Sequence, residues 1–299
     1  MNAKRLFTAS ARRMAIPPYV WMVLFFLLPF AFVVKISLSQ AALAQPPYVP
    51  VFGFAGLKDA FAALSFDNFR ALLADQLYVS SYLRSITVAL TSTLLLLVIG
   101  YPIAYAMARL PARWQGVAMM LVIVPFWTSF LIRIYAWINI LQHDGLLNQI
   151  LMALHIVSTP VVWLATDSAM YLGIVYSYLP FMILPLYATL AKADPSLLEA
   201  AADLGVSRFD AFWMVTVPLS WRGIFAGALL CFIPITGEFV IPDLLAGSDS
   251  MMIGQTLWLE FFTNKDWPLA SALAVVLLFV LLVPLLVYDQ VQRRQLERR

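Results

Sequence analysis

Six long apolar stretches constrain this chain more than any other feature. They run over Pro17–Leu38, Tyr82–Ala108, Val117–Leu141, Ser168–Leu190, Ile224–Ala246 and Leu269–Tyr288. A helix that crosses the hydrocarbon core of a bilayer needs about 20 mostly apolar residues, and each stretch meets that length. A water-soluble fold of 299 residues cannot hide so much apolar surface. Composition agrees: 63% of the residues are hydrophobic and 12% charged, against roughly a half and a quarter in soluble domains. A soluble enzyme, a disordered chain and a secreted disulfide scaffold are thereby excluded. The expectation is an all-α polytopic membrane protein with six transmembrane helices.

Charge sets the orientation, because cytoplasmic loops collect Lys and Arg. One side holds Lys4, Arg5, Arg12, Arg13, Arg109, Arg113, Lys192, Arg208, Arg222, Arg293, Arg294, Arg298 and Arg299, which are 13 of the 19 basic residues. The opposite loops hold Lys58, Arg70 and Lys265. Both termini are therefore expected in the cytoplasm. The expected organisation is a cytoplasmic segment over 1–16, one membrane domain over 17–290 and a basic cytoplasmic tail over 291–299. The first apolar region is longer than that of a signal peptide, so it is expected to remain as a span. The outer loop at 142–167 carries Leu146, Leu147, Ile150, Leu151 and Leu154 at helical spacing, which reads as a short amphipathic helix packed on the bundle or lying at the outer interface.

Several chemistries are missing. No G-x-x-x-x-G-K-[ST], H-E-x-x-H or G-x-S-x-G is present. His143, His155 and Cys231 are too few and too scattered for a metal site, and a net charge of +3 does not call for nucleic acid. An intramembrane enzyme lacks its nucleophile and base. A secondary transporter lacks an evident inverted repeat. A transport component without its own ATP site fits best.

The longest cytoplasmic loop, 191–223, carries the most specific signal. Asp194 is placed to cap a helix that has Pro195 at its first position. The helix continues through Leu204 and stops at Gly205. Ser207 then caps a second helix, with Asp210 completing an approximate capping box, and that helix runs to Pro218. The first helix carries the carboxylate of Glu199 flanked by alanines. It reads either as an exposed helix charge or as a docking surface that another protein can approach closely.

Glu199-Ala200-Ala201, three residues, Gly205, nine residues and Val215-Thr216-Val217-Pro218 together resemble the EAA loop of ABC importer permeases, whose pattern is E-A-A-x3-G-x9-I-x-L-P. Val215 and Val217 replace its Ile and Leu. The resemblance implies a type I permease architecture in the bacterial inner membrane. It implies that this loop docks on a separate ATP-binding subunit, with Glu199 as the main polar contact and Gly205 at the turn. ATP would then be used by a dimer of partner ATPases, with no cofactor on this chain. A second permease subunit, expected to be a different chain, and a periplasmic substrate-binding protein complete the implied assembly. Further segments resemble spermidine/putrescine permeases: Phe66–Phe69, Gly100–Tyr105, Pro125–Arg133, Gly173–Ala188 and Thr236–Pro242. Related importers carry opines or other small amino compounds.

Charged residues inside spans point to function by default. Glu238 lies within the fifth stretch, between Pro234 and Pro242 and beside Gly237. Each proline frees a carbonyl one turn earlier. A carboxylate beside freed carbonyls suits an ammonium group, and Asp243, one turn outward, can meet a second ammonium or sit as an interfacial charge. Arg133 lies at a similar depth in the third stretch, so Glu238 either contacts cargo or pairs with Arg133. Trp127 and Tyr178 are among the aromatics suited to methylenes and ammonium heads, or equally to core packing and interfacial belts.

Overall fold

A computed structural model describes residues 16–51, 64–194, 196–247 and 251–297. Pro195, Lys58, the basic residues before Ile16, and Arg298 and Arg299 lie outside the described residues. The helices are α1 (Ile16–Ser37), α2 (Asp67–Ala74), α3 (Gln76–Arg109), α4 (Ala112–Ile123), α5 (Phe130–Leu141), α6 (Leu146–Ala153) and α7 (Asp167–Leu190). They continue with α8 (Ser196–Asp203), α9 (Arg208–Ala211), α10 (Val217–Leu219), α11 (Trp221–Thr236), α12 (Val240–Leu245), α13 (Ile253–Trp258) and α14 (Trp267–Glu297). The expectation of an all-α chain needs one correction: Gln40–Ala41 and Tyr48–Val49 form a two-stranded antiparallel ribbon, β1–β2.

Among the described residues four helices are long and apolar enough to cross a membrane by themselves: α1, α3, α7 and the Trp267–Leu286 part of α14. The third and fifth apolar stretches are interrupted at or near their prolines. In the third, Ala112–Trp127 and Phe130–Ala153 meet at 88°; a second bent pair, Arg208–Leu219 and Trp221–Thr236 at 64°, turns before the fifth stretch begins. In the third stretch, Pro125 sits in a 3-10 turn over Val124–Trp127, and Thr128 and Ser129 are extended before α5 begins. In the fifth, the helix runs through Pro234 and ends at Thr236, so Gly237, Glu238 and Phe239 separate α11 from α12. Elsewhere proline is absorbed. The wide π-type turns Val23–Leu27 and Phe212–Thr216 each end two residues before a proline, Pro29 and Pro218. A wider turn relieves the clash between a proline ring and the carbonyl one turn back.

The chain falls into two compact units. The first comprises Met1–Val79 and Leu257–Val280. Its β-ribbon is tied to α1 by Lys35, whose ammonium donates to the Pro50 carbonyl and lies 4.4 Å over the Tyr48 ring. The Asn68 amide donates to the carbonyls of Ser37 and Ser39 at 2.8 and 2.7 Å, closing the end of α1 against α2. The buried Glu260 accepts from the Tyr78 hydroxyl and from the Asn264 amide, both at 2.9 Å.

The second unit comprises Ser80–Thr256 and Leu281–Arg299. Its core is set by helical periodicity. Ser81, Ser85, Val88, Ala89, Ser92 and Leu96 form the buried face of α3, at three- and four-residue spacing. Ala169, Gly173, Ile174, Ser177, Met182, Ile183 and Leu186 form that of α7. Gly223, Gly227 and Cys231, four residues apart, are the buried side of α11. A Cβ on Gly223 would meet the Pro185 carbonyl at 2.9 Å, and one on Gly227 the Met182 sulfur at 2.8 Å. These two glycines let α11 and α7 approach closely, as small residues four apart do in membrane helices. Outside, α6 is the short helix expected in the 142–167 loop. Its fully buried Asn148 donates to the carbonyls of His143 and Val161 at 3.0 and 2.9 Å and accepts from Val161 N–H and Trp163 Nε1 at 3.1 Å each.

Candidate functional site: an exposed loop and a broken helix

The loop between α7 and α11 forms as local chemistry dictates. The Asp194 carboxylate accepts the Ser196 N–H at 3.0 Å, which satisfies one orphan donor at the start of α8. Hydrogen bonds from Ser196 hold this fully exposed carboxyl below the usual range. At the other end, Val206 N–H bonds the Ala201 carbonyl at 3.1 Å and Gly205 N–H the Ala202 carbonyl at 2.9 Å. This pair is a Schellman cap, and Gly205 takes the left-handed position with φ +78°. Nothing lies within 4 Å of a Cβ placed on Gly205, so backbone conformation, not space, demands glycine. Ser207 Oγ accepts the Asp210 N–H at 3.1 Å and donates to the Asp210 carboxylate at 2.6 Å, the reciprocal cap expected from sequence.

Glu199 and Ala200 are exposed, Ala201 is buried, and Pro218 is exposed in α10. Around them Leu204, Phe209, Met214 and Trp213 are 85, 71, 70 and 55% exposed. Exposed apolar side chains clustered along one segment are the kind that mark protein or membrane interaction surfaces. Phe212, not singled out from sequence, ties the loop to the bundle. Its ring stands edge-on to both Tyr101 and Tyr105 of α3, with centroids 5.6 Å away in each case. The Tyr101 hydroxyl also shares a 2.8 Å hydrogen bond with Ser220, between α10 and α11. The aromatic spacing Tyr101-x3-Tyr105 was the available signal, but its partner lies far along the chain.

The second constellation surrounds the break between α11 and α12. Glu238 Oε2 accepts the Tyr178 hydroxyl of α7 at 2.5 Å, while Oε1 faces the Val240 and Ile241 N–H groups at 3.0 and 3.4 Å. The carboxylate thus caps α12, where orphan N–H donors and the positive end of the helix favour an anion. Pro242 falls in the first turn of α12, where its missing N–H costs nothing. The break is held from behind by Gly254, where a Cβ would lie 2.5 Å from the Gly237 carbonyl oxygen and 2.6 Å from that of Glu238.

Arg133 does not pair with Glu238. Among the described residues the ion pairs are Arg70–Asp67, Arg84–Asp167 and His143–Asp144. The Arg133 guanidinium instead lies over the rings of Phe126 and Phe130, at 4.7 and 5.9 Å. Its Nε and Nη1 are buried without a hydrogen-bond partner. Arg133 and Tyr178 both line a cavity of about 500 Å³. Trp127, 77% exposed, and Asp243, exposed on α12, lie outside its lining. Of the five residues expected on a cargo path, the structure therefore brings together Glu238 with Tyr178 and Tyr178 with Arg133.

The fold is a helical bundle with broken helices and an exposed helical loop. Two solved structures share it over nearly their whole length. One is a bacterial alginate ABC transporter in complex with an alginate pentasaccharide-bound periplasmic protein: TM-score 0.70, 18% identity, 97% of this chain and 96% of that one. The other is a bacterial ABC transporter involved in import of the acidic polysaccharide alginate, with TM-score 0.65 and 18% identity. Sequence comparison is more specific. Residues 97–296 match the model of the binding-protein-dependent transport system inner membrane component, and the chain belongs to that family. The spermidine/putrescine transport system permease protein PotB of Escherichia coli K12 is 42% identical over 76% of this chain and 82% of its own length. The protein of the same name from Haemophilus influenzae is 34% identical over 90% of each chain. The Escherichia coli inner membrane ABC transporter permease protein YdcU is 32% identical over 71% of each. The chain is an inner-membrane permease component, a transport rather than a catalytic subunit.

Proposed function

We propose that this chain forms half of the membrane path of a polyamine importer, carrying putrescine or spermidine. The observation that carries the cargo assignment is the 34% identity over 90% of both chains with a permease named for spermidine/putrescine transport. Six spans with both termini in the cytoplasm fit the reading: four single helices and two bent pairs supply the spans, and the charge pattern puts 13 of the 19 basic residues on one side. A second permease chain supplies the other half, two ATPase subunits hydrolyse ATP, and a periplasmic protein delivers cargo to the outer loops. No cofactor is required on this chain.

Glu199 and the apolar residues around it dock on the ATPase. Movement of α8 reaches the bundle through Phe212 and its two tyrosines. At the break, Glu238 offers a carboxylate in a backbone interruption, as transporters do at their binding sites. An ammonium competes with Tyr178 for Oε2 while Oε1 keeps the α12 cap. Two results test the reading. Glu199→Arg should abolish uptake with normal accumulation of the chain, and wild-type uptake in that variant would count heavily against it. Flux through the chain alone in liposomes, driven by an ion gradient, would replace it with a secondary transporter.

A further inference from the structure

The cavity beside Arg133 holds an uncompensated cation. Two of its guanidinium nitrogens are buried and unbonded, and no described carboxylate lies within 4.0 Å. Two aromatic faces offset only part of the cost of taking such a charge out of water. Among the described residues no anion faces this charge, which leaves it open to one from elsewhere.

We propose that Arg133 and its cavity receive a carboxylate side chain of the second permease subunit. The inference rests on the reading of the chain as half of a two-permease path. Three observations select this source. First, the guanidinium lies back over Phe126, seven residues earlier and across the break from α5. The guanidinium is thereby held against the cavity that Phe126 and Arg133 both line. Second, the cavity wall is mainly apolar, with Phe126, Phe130, Phe181, Leu230 and Ile233 forming half of its lining. Beside Arg133, its polar side chains are Ser177 and Tyr178, and the Tyr178 hydroxyl is committed to Glu238. A free zwitterion would lose hydration there for little return, whereas an acidic residue on an apolar helix brings one carboxylate and no further polar groups. Third, Phe181 and Leu230 remain 40 and 51% exposed in this chain, a wall that a partner helix would cover. A polyamine carries the same sign as Arg133 and is repelled by it.

The test uses the full importer complex, purified through a tag on this chain. Arg133→Glu should lower copurification of the second permease at least tenfold, and Arg133→Lys should retain most of it. Changing the acidic residues in the second permease's spans to Arg, one at a time, should yield one that restores assembly with Arg133→Glu. If Arg133→Glu does not accumulate, Arg133→Met combined with acid→Leu changes in the partner asks the same question, and one pairing should recover assembly. Wild-type levels of the second permease with Arg133→Glu, or no restoring partner change in either series, would overturn the proposal. So would normal assembly accompanied by loss of uptake of a carboxylate-bearing opine, which assigns Arg133 to cargo. Normal assembly with loss of a bound anionic lipid by native mass spectrometry assigns it to lipid and overturns it equally. Failure of the wild-type chain to recover any second permease would remove the two-permease reading and this proposal together.

Discussion

Glu238 combines two tasks in one carboxylate: it caps α12 and it accepts from Tyr178. Replacement by Gln keeps the shape and removes the charge. Loss of a charge-assisted hydrogen bond costs about 1.5–3 kcal/mol, so Glu238→Gln should weaken diamine uptake about tenfold or more while the ATPase still copurifies. Failure of the complex to assemble would mark the capping task as the dominant one. Gly254 gives a sharper prediction, because its Cβ would meet two backbone carbonyls that no side-chain rotation can move. Gly254→Ala should cost about 1–3 kcal/mol, read as a lower thermal midpoint of the purified complex; an unchanged midpoint would show that the break can shift freely. Asp194 carries a pH dependence of known sign. Its folded pKa is lowered, so its support for α8 is present above the ordinary carboxylate range and is lost as pH falls through the lowered value. Because Asp194 is fully exposed, the expected effect is a modest fraying of the loop in acid, and Asp194→Asn should show that fraying at neutral pH. Backbone hydrogen exchange at Ser196 reports both.

At the scale of elements, the 191–223 loop was legible almost completely. Its caps, its glycine stop and its second cap are interactions within a few residues, and local chemistry determines them. Gly205→Ala tests this directly: holding an alanine at φ +78° costs about 1–2 kcal/mol, and ATPase copurification should fall. The broken spans were less legible. Pro234 lies inside α11 without ending it, while the break comes three residues later. A proline says where a carbonyl is freed, not whether tertiary contacts, here Gly254 against the break, hold the helix open. The Arg133–Glu238 pairing failed for a related reason. Equal depth along two spans carries no information about the direction of either side chain, and Glu238 is already occupied by Tyr178 and the α12 N–H groups. The close approach of α11 to α7 did have a signal, Gly223 and Gly227 four residues apart, and Gly227→Leu should destabilise the second unit strongly because Met182 fills that space.

At the scale of the whole molecule, apolar surface that stays exposed in a single chain belongs to bilayer, partner permease or ATPase. The central claim is that this chain is the permease half through which a polyamine passes at the expense of ATP hydrolysed elsewhere. Uptake of labelled putrescine and spermidine, in a host stripped of its own polyamine importers and carrying the complete system with or without this chain, tests that claim most directly. The account predicts ATP-dependent uptake of at least one of the two that disappears when the chain is omitted. Equal uptake with and without the chain, or none in either case while the ATPase still copurifies, would contradict it.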